Sequence, residues 1–321
     1  MMIPRIRIAN LPTPVEMLPN LSARLGGPRI MIKRDDLTGL ALGGNKIRKL
    51  EYLLAEAQAN NAKTLITTGA MQSNHCRQTA AVAAKFHLAC ILVLVGEESP
   101  AASGNYLLDR LLGAEIVWCK REERDAYLKA TFDSAWAAGR RPYLIPYGGS
   151  SPVGAVAYSQ AMQELAGQNV KPDWIVFPTS SGGTQAGMVL GARKTSFAGR
   201  ILGISVDEPA AVFSPRVADL AGEAADRLGE KETFNPADVL VNDDYIGGGY
   251  GVFSSLEREA IQLFAATEGV LLDPVYTGRA AGGMIDLIRK GFFAPTDTVL
   301  FWHTGGTPAI FAEQYEKELW G

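Results

Sequence analysis

Between residues 47 and 57 the apolar positions fall at Ile47, Leu50, Leu53, Leu54 and Ala57. That spacing puts one buried stripe along a helix. Upstream, Arg29–Lys33 alternates and is rich in β-branched residues, which predicts a strand. From Lys63 onward, apolar runs of strand length alternate with helical periodicity. Strands are expected at 64–68, 90–95, 115–118, 143–145, 174–177, 201–206 and 298–302. Helices are expected at 74–86, 106–112, 121–138, 156–165, 184–194, 211–228, 255–267 and 279–289, with a last one after Pro308. Strands joined by helices in this rhythm predict an α/β fold of mainly parallel sheets flanked by helices. Residues 1–28, interrupted by Pro4, Pro12, Pro14 and Pro28, read as irregular.

The stretch Tyr147-Gly-Gly-Ser-Ser-Pro152 punctuates the chain and is the candidate hinge. It suggests two lobes: a large one from 1–47 plus 150–321, and a small α/β one, 48–149, inserted into it. No internal repeat, low-complexity segment or long linker is visible.

Chemistry concentrates where glycine-rich loops open helices. Gly43 and Gly44 deliver Asn45 and Lys46 to the start of the helix described first. Asn45 is the expected N-cap. Lys46 then sits at the positive end of the helix dipole, which favours a neutral amine able to attack a carbonyl. An ordinary solvated lysine at a helix start would give the same local pattern. The loop Ser180-Ser-Gly-Gly-Thr-Gln-Ala-Gly187 follows a strand and opens a helix. Gly182, Gly183 and Thr184 can cradle a phosphate there, with Ser181 as a further hydroxyl donor, or can form a tight turn that binds nothing. The loop has neither the Walker spacing nor the dinucleotide fingerprint, which argues against a nucleotide-dependent dehydrogenase. Ser73 and Asn74 also open a helix after a strand, as caps or as donors to a carboxylate. His75 beside them is compatible with a structural role, and Arg77 with a solvated helix face. Tyr250 and Tyr276 each lie in a glycine-containing loop, where a tyrosine can stack on a flat ring, move a proton or simply pack. Thr304 follows the final strand, at the end where open α/β folds receive ligands.

The totals narrow the classes. A formal charge of −3 over 321 residues, 20% of them charged, leaves no footprint for nucleic acid or an anionic membrane. No apolar run approaches a membrane span, and the N-terminus lacks a signal-peptide core. The three cysteines, Cys76, Cys90 and Cys119, have no metal-ligand spacing and read as free thiols of a reducing cytoplasm. With only three histidines, a histidine-rich metal site is not expected. A carbonyl-reactive lysine, a phosphate cradle, anion-binding helix starts and stacking aromatics meet in one ligand, pyridoxal 5'-phosphate.

The ordered motifs Lys33-Arg-Asp-Asp36, Gly43-Gly-Asn-Lys-Ile-Arg-Lys-Leu-Glu51, Gln72-Ser-Asn-His75, Ser181–Gly187, Asp273-Pro-Val-Tyr276 and His303-Thr-Gly-Gly306 run nearly end to end. By them the chain resembles the fold-type-II pyridoxal-phosphate enzymes, of the tryptophan synthase β class. Within that class it is similar to the 1-aminocyclopropane-1-carboxylate deaminase / D-cysteine desulfhydrase family. The resemblance implies that Lys46 is the Schiff-base lysine and the base freed when substrate displaces it. It implies that Lys49 binds the phosphate together with backbone donors of Gly182, Gly183 and Thr184. It makes Asn74 the partner of the ring hydroxyl, and Ser73, Asn74 and His75 the substrate carboxylate site. Tyr276 would pack on the cofactor ring and Tyr250 would be the second active-site tyrosine. Deaminases of the family that open the cyclopropane ring carry glutamate where this chain has Thr277. The desulfhydrases place a threonine near the pyridine nitrogen, as Thr304 would be. A hydroxyl keeps the ring nitrogen less protonated than a carboxylate would, which suits expulsion of a good β leaving group. The resemblance therefore implies α,β-elimination from a small amino acid to pyruvate and ammonia, with D-cysteine first, L-cysteate second and the cyclopropane amino acid third. It also suggests a homodimer. A protein that binds pyridoxal phosphate or an anion without catalysis is the reading from a different class.

Overall fold

The structure is a computed structural model and describes residues 3–99 and 101–320. Met1 and Met2, part of the N-terminus read above for a signal peptide, lie outside the described residues, as do Pro100 and Gly321. In chain order the elements are β1 (Val15–Met17), α1 (Pro19–Leu25), β2 (Arg29–Arg34), α2 (Asn45–Ala59), β3 (Thr64–Ala70), α3 (Asn74–Lys85), β4 (Ala89–Val95), α4 (Gly104–Leu111), β5 (Glu115–Cys119), α5 (Arg124–Ala137) and β6 (Pro142–Leu144). They continue with α6 (Pro152–Gly167), β7 (Trp174–Thr179), α7 (Gly183–Thr195), β8 (Arg200–Ser205), α8 (Ala210–Arg227), β9 (Leu240–Asn242), α9 (Ser255–Glu268), α10 (Thr277–Arg289), β10 (Thr298–His303) and α11 (Glu313–Trp320).

The strands form two sheets. A six-stranded sheet runs β1-β2-β10-β7-β8-β9 and a four-stranded sheet runs β5-β4-β3-β6. Every pairing is parallel except β1 with β2, which are antiparallel. Every residue of β7 and β10 is buried, as expected of central parallel strands covered on both faces. The large sheet takes two strands from before α2 and four from after α6, while the small sheet lies wholly between those helices. The protein is thus a two-lobed α/β fold.

Two N-terminal elements depart from the irregular segment expected at 1–28. Val15–Met17 pairs with β2, Val15 opposite Lys33, and Pro19 starts α1 rather than breaking it. Proline is tolerated in a first helical turn, where its missing N–H would have no intrahelical partner anyway. Asn45 is likewise not the cap of α2. Gly44, at φ 125°, takes the N-cap position, and Asn45 Nδ2 instead donates to Thr184 Oγ1 at 3.2 Å.

Helix α2 is pinned by a buried ionic network. Arg48 donates to both oxygens of Asp35, at 2.9 and 2.7 Å, and to both oxygens of Glu164 on α6, at 2.9 Å each. Lys33 Nζ on β2 reaches the same Glu164 at 2.6 Å, and Tyr158 Oη donates to Asp35 at 2.5 Å. These bonds fix the rotation of α2 about its axis, which decides where Lys46 and Lys49 point.

Candidate active site

The cleft is built by segments that follow strands. Ser73, Asn74 and His75 come after β3, Tyr147 and Gly148 after β6, Pro178 to Gly182 around the end of β7, and Thr304 after β10. Lys46 and Asn45 enter from α2 and Tyr276 from the N-cap of α10. The volume, open mouth included, is about 590 Å³, within the range of small-molecule and cofactor sites. Residues from both lobes therefore face one space.

Lys46 makes no hydrogen bond or ion pair with any described residue. Burial of its amine lowers the pKa from 10.5 to about 8, so the neutral fraction near neutrality is far larger than that of an ordinary lysine, though still a minority. Gly148 gives it room. A side chain there would overlap the Ser181 hydroxyl and bring a Cβ to 3.6 Å from Lys46 Nζ, and the backbone stands at φ 63°, a conformation that favours glycine.

Lys49, one turn along α2, is fully buried. Its Nζ donates to Gly148 O at 3.2 Å and Ser150 Oγ at 3.4 Å, and no carboxylate among the described residues pairs with it. Burial, and then the charge of Lys46, drive its pKa well below the ordinary value. Ser150 Oγ also donates to Ser181 Oγ at 2.8 Å and accepts from Gly183 N at 3.0 Å. Gly182 caps α7 at φ 87°, so the thirteen-residue helix aims its positive end at this corner. A buried amine with no carboxylate partner among the described residues, beside hydroxyls and a helix N-terminus, is a donor set that lacks an anion. The corner fits the phosphate of pyridoxal phosphate.

On the opposite wall Ser73 caps α3, its Oγ accepting from Cys76 N at 3.2 Å and leaving its O–H to donate. His75 Nε2 lies 2.9 Å from Thr67 Oγ1, whose own proton goes to Ile145 O at 2.8 Å. Nε2 must then be the protonated nitrogen. Burial, with the Lys46 and Lys49 charges, holds the His75 pKa well below normal, so the ring is neutral. Tyr276 Oη lies 2.5 Å from Tyr250 Oη, and burial pushes both phenols well above the usual tyrosine value. Tyr250 stands behind Tyr276 rather than in the cleft lining. Thr277 does not face the cleft. It is fully buried, its hydroxyl donates to Asp273 Oδ1 at 2.7 Å and accepts from Asp273 N at 2.7 Å.

Lys46, Ser73, Asn74, His75, Gly182, Thr184, Tyr276 and Thr304 thus share one cleft, while Lys49 and Gly183 reach it through Ser150 and Gly148. Sequence reasoning passed over Tyr147, Gly148 and Ser150 by treating their stretch only as a hinge. The available signal was the one used elsewhere, a glycine- and serine-rich loop that follows a strand and opens a helix. Arg77, compatible in sequence with a solvated face, is fully buried.

A buried lysine amine without a partner among the described residues, facing a donor-lined corner that fits a phosphate at the carboxyl ends of parallel strands, is the arrangement expected of a pyridoxal-phosphate enzyme of the two-lobed α/β class. The family described as "Pyridoxal-phosphate dependent enzyme" matches residues 6–305, and the chain belongs to it. It is 44% identical over 318 residues to the D-cysteine desulfhydrase of Salmonella choleraesuis (strain SC-B67), covering 96% of each chain. The same identity and coverage hold for the D-cysteine desulfhydrase of Salmonella paratyphi C (strain RKS4594). Among solved structures, an "ACC deaminase homologue" superposes with a TM-score of 0.91 at 41% identity, over 99% of this chain and 96% of that one. A fungal L-serine ammonia-lyase from Rhizomucor miehei shares the fold at a TM-score of 0.68 and 17% identity, over 96% and 98% of the two chains.

Proposed function

We propose that this enzyme is a pyridoxal-phosphate lyase that eliminates sulfide from D-cysteine, converting D-cysteine and water to pyruvate, ammonia and hydrogen sulfide. The observation that carries the reading is the Lys46 amine, unpartnered, depressed to about 8 by burial and open to the cleft. When bound, the cofactor supplies a ring system that accepts the electron pair left at Cα of the amino acid. Lys46 would hold it covalently, and Lys49, Ser150, Ser181 and the N–H groups at 182–184 would hold its phosphate. Asn74 would meet the ring hydroxyl, Tyr276 the ring face and Thr304 the edge carrying the nitrogen.

Each remaining step falls to residues of the chain. Lys46, its amine partly neutral near pH 8, would take the α-proton. The Ser73 hydroxyl and the neighbouring helix start of α3 bind the substrate carboxylate. Neutral His75 adds no charge to that corner, which leaves the helix dipole and hydroxyl to do the binding. Tyr276 and Tyr250 stay protonated across the physiological range and can deliver a proton to the departing sulfur.

The desulfhydrase relatives at 44% identity support D-cysteine as first substrate. Position 277 carries a threonine, whose hydroxyl is engaged by Asp273, and so offers no carboxylate to the ring, which supports elimination over cyclopropane ring opening. A homodimer and a cytoplasmic setting belong to the same proposal, on the family resemblance and, for the setting, on the free, buried Cys76, Cys90 and Cys119. The test is turnover of D-cysteine, L-cysteate and the cyclopropane amino acid, read as pyruvate. Pyruvate and sulfide released one for one from D-cysteine, and abolished in Lys46→Ala, is the expected outcome. Pyruvate from L-cysteate alone would move the assignment to a sulfo-lyase, and none from any substrate would remove it.

A further inference from the structure

Asn74 is the first residue of α3, and its side chain reaches the cleft wall. Its Oδ1 is claimed twice from behind. Arg77 Nη1 donates to it at 2.9 Å, and Asn105 Nδ2 donates to it at 2.9 Å. An amide oxygen has two lone pairs, so both are filled. The orientation of the amide is therefore set by its partners and not free to flip. Nδ2 donates to no described residue, which leaves it available to the cleft that Asn74 lines.

The two partners are themselves braced. Asn105, at the start of α4 and fully buried, donates from its backbone N to Gln72 Oε1 at 2.8 Å and from Nδ2 to Gln72 O at 2.8 Å. Its Oδ1 accepts a further bond from Arg77 Nη1. Arg77 Nη2 donates to Gly43 O at 2.9 Å, in the loop that leads to Lys46. One guanidinium thus ties the lysine loop, α3 and α4 together. It does so at a cost. Arg77 is fully buried and forms no ion pair among the described residues. All its acceptors are neutral amide or carbonyl oxygens. Burial pulls its pKa down to about 10, and Asp109 and Asp273 act on it only at range. A core selected for stability alone would not retain such a charge.

We propose that Arg77 and Asn105 are positioning residues, which hold Asn74 Nδ2 toward the cleft as a fixed donor to the ring oxygen of pyridoxal phosphate. The proposal rests on the cofactor reading above. A fixed donor stabilises the ionised form of that ring oxygen, so removing either brace should change both how tightly the cofactor binds and how its chromophore titrates.

The experiment measures two quantities on purified protein: the affinity of the apoprotein for pyridoxal phosphate, and the pH midpoint of the visible absorbance of the loaded protein. Asn105→Ala should weaken affinity about tenfold, the scale of one buried hydrogen bond, and shift the midpoint in the same direction as Asn74→Ala. Placed on top of Asn74→Ala, both Asn105→Ala and Arg77→Lys should add nothing further to the midpoint, because they act through a group already gone. Shifts that add in full in the double variants would overturn the proposal, since a merely structural role persists without Asn74. Where Asn105→Ala does not fold, Arg77→Lys keeps the charge and carries the test, and an unchanged affinity and midpoint in it would equally overturn the proposal. A wild-type protein with no visible band would overturn the cofactor reading itself, and this proposal with it.

Discussion

Lys46 and Lys49 stand one turn apart on α2, neither paired with a carboxylate among the described residues, and the charge of the first helps to depress the pKa of the second. On the function proposed above the pair would divide one cofactor between them, a covalent anchor at one end and a countercharge at the other. Two unpaired amines this close destabilise the empty protein and become favourable only when an anion arrives.

Lys49→Met should therefore separate stability from binding. The apoprotein should melt no lower than wild type, and somewhat higher if the relief of a buried charge exceeds the loss of contacts to Gly148 and Ser150. Affinity for pyridoxal phosphate should fall about 10- to 100-fold, the scale of a charge-assisted hydrogen bond. Thermal melts of the apoprotein and a cofactor titration check the two halves. A large loss of apoprotein stability with unchanged affinity would show Lys49 to be a structural residue.

Capture of the cofactor by the apoprotein should depend on pH through Lys46. Its folded pKa, about 8, lies below its ordinary value of 10.5, so the neutral nucleophile accumulates as pH rises through 8. The rate at which visible absorbance grows after mixing should climb from pH 6 and level off above about 8.5. The stability of the apoprotein should carry the same signature with the matching sign. The unfolded chain binds more protons than the folded one between the two pKa values, so this lysine makes unfolding harder as pH rises through that window. A capture rate still climbing steeply above pH 9.5 would indicate an exposed, ordinary lysine.

The legible parts of the fold were those with enough residues to show a period. Helix α2 gave itself away by Ile47, Leu50, Leu53, Leu54 and Ala57, and β4, β7 and β10 by apolar runs. Strands β1 and β9, three residues each, lie in stretches that are broken by proline or mixed in composition, where no period registers. In the site, Lys46, the 180–187 loop and Ser73–His75 were legible because each follows one rule, a loop after a parallel strand that opens a helix. What could not be read locally was decided by distant partners. Asn45 turns to Thr184 across 139 positions instead of capping its own helix, and Arg77 is buried by Gly43 and Asn105 rather than by anything on α3 alone.

The two tyrosines should prove unequal. Tyr276 lines the cleft, and Tyr250 reaches it only through a 2.5 Å hydrogen bond between the two hydroxyls. Tyr276→Phe should lower kcat by about 100-fold if its hydroxyl delivers a proton. Tyr250→Phe should cost about tenfold, by freeing the Tyr276 hydroxyl to rotate. Once Tyr276 is phenylalanine, Tyr250→Phe should cost almost nothing more, because the two act as one unit. Steady-state kinetics of the two single variants and the double variant decide the point. A Tyr250→Phe effect larger than that of Tyr276→Phe would reverse their roles.

The last prediction concerns the network that orients α2. Burial alone would raise the pKa of Asp35, but the charge and hydrogen bonds of Arg48, with the Tyr158 hydroxyl, outweigh it and leave the carboxylate depressed below 3.8. A carboxylate depressed in the folded state contributes stability that is present in full above its ordinary pKa. That contribution is lost as pH falls through the lower, folded value. Asp35→Asn should thus destabilise the protein by about 3 kcal/mol at neutral pH, because it leaves Glu164 as the one carboxylate paired with buried Arg48 among the described residues. The difference between wild type and variant should persist down to pH 4.5 and shrink only in stronger acid. Lys46 sits two residues from Arg48 on the same helix, so the variant that still folds should also bind pyridoxal phosphate more weakly, through a loosened α2 rather than a lost contact. Urea melts at several pH values, paired with cofactor titrations, measure both. An Asp35→Asn protein as stable as wild type at pH 7 would show that the buried charges on α2 are held in place by packing and not by Asp35.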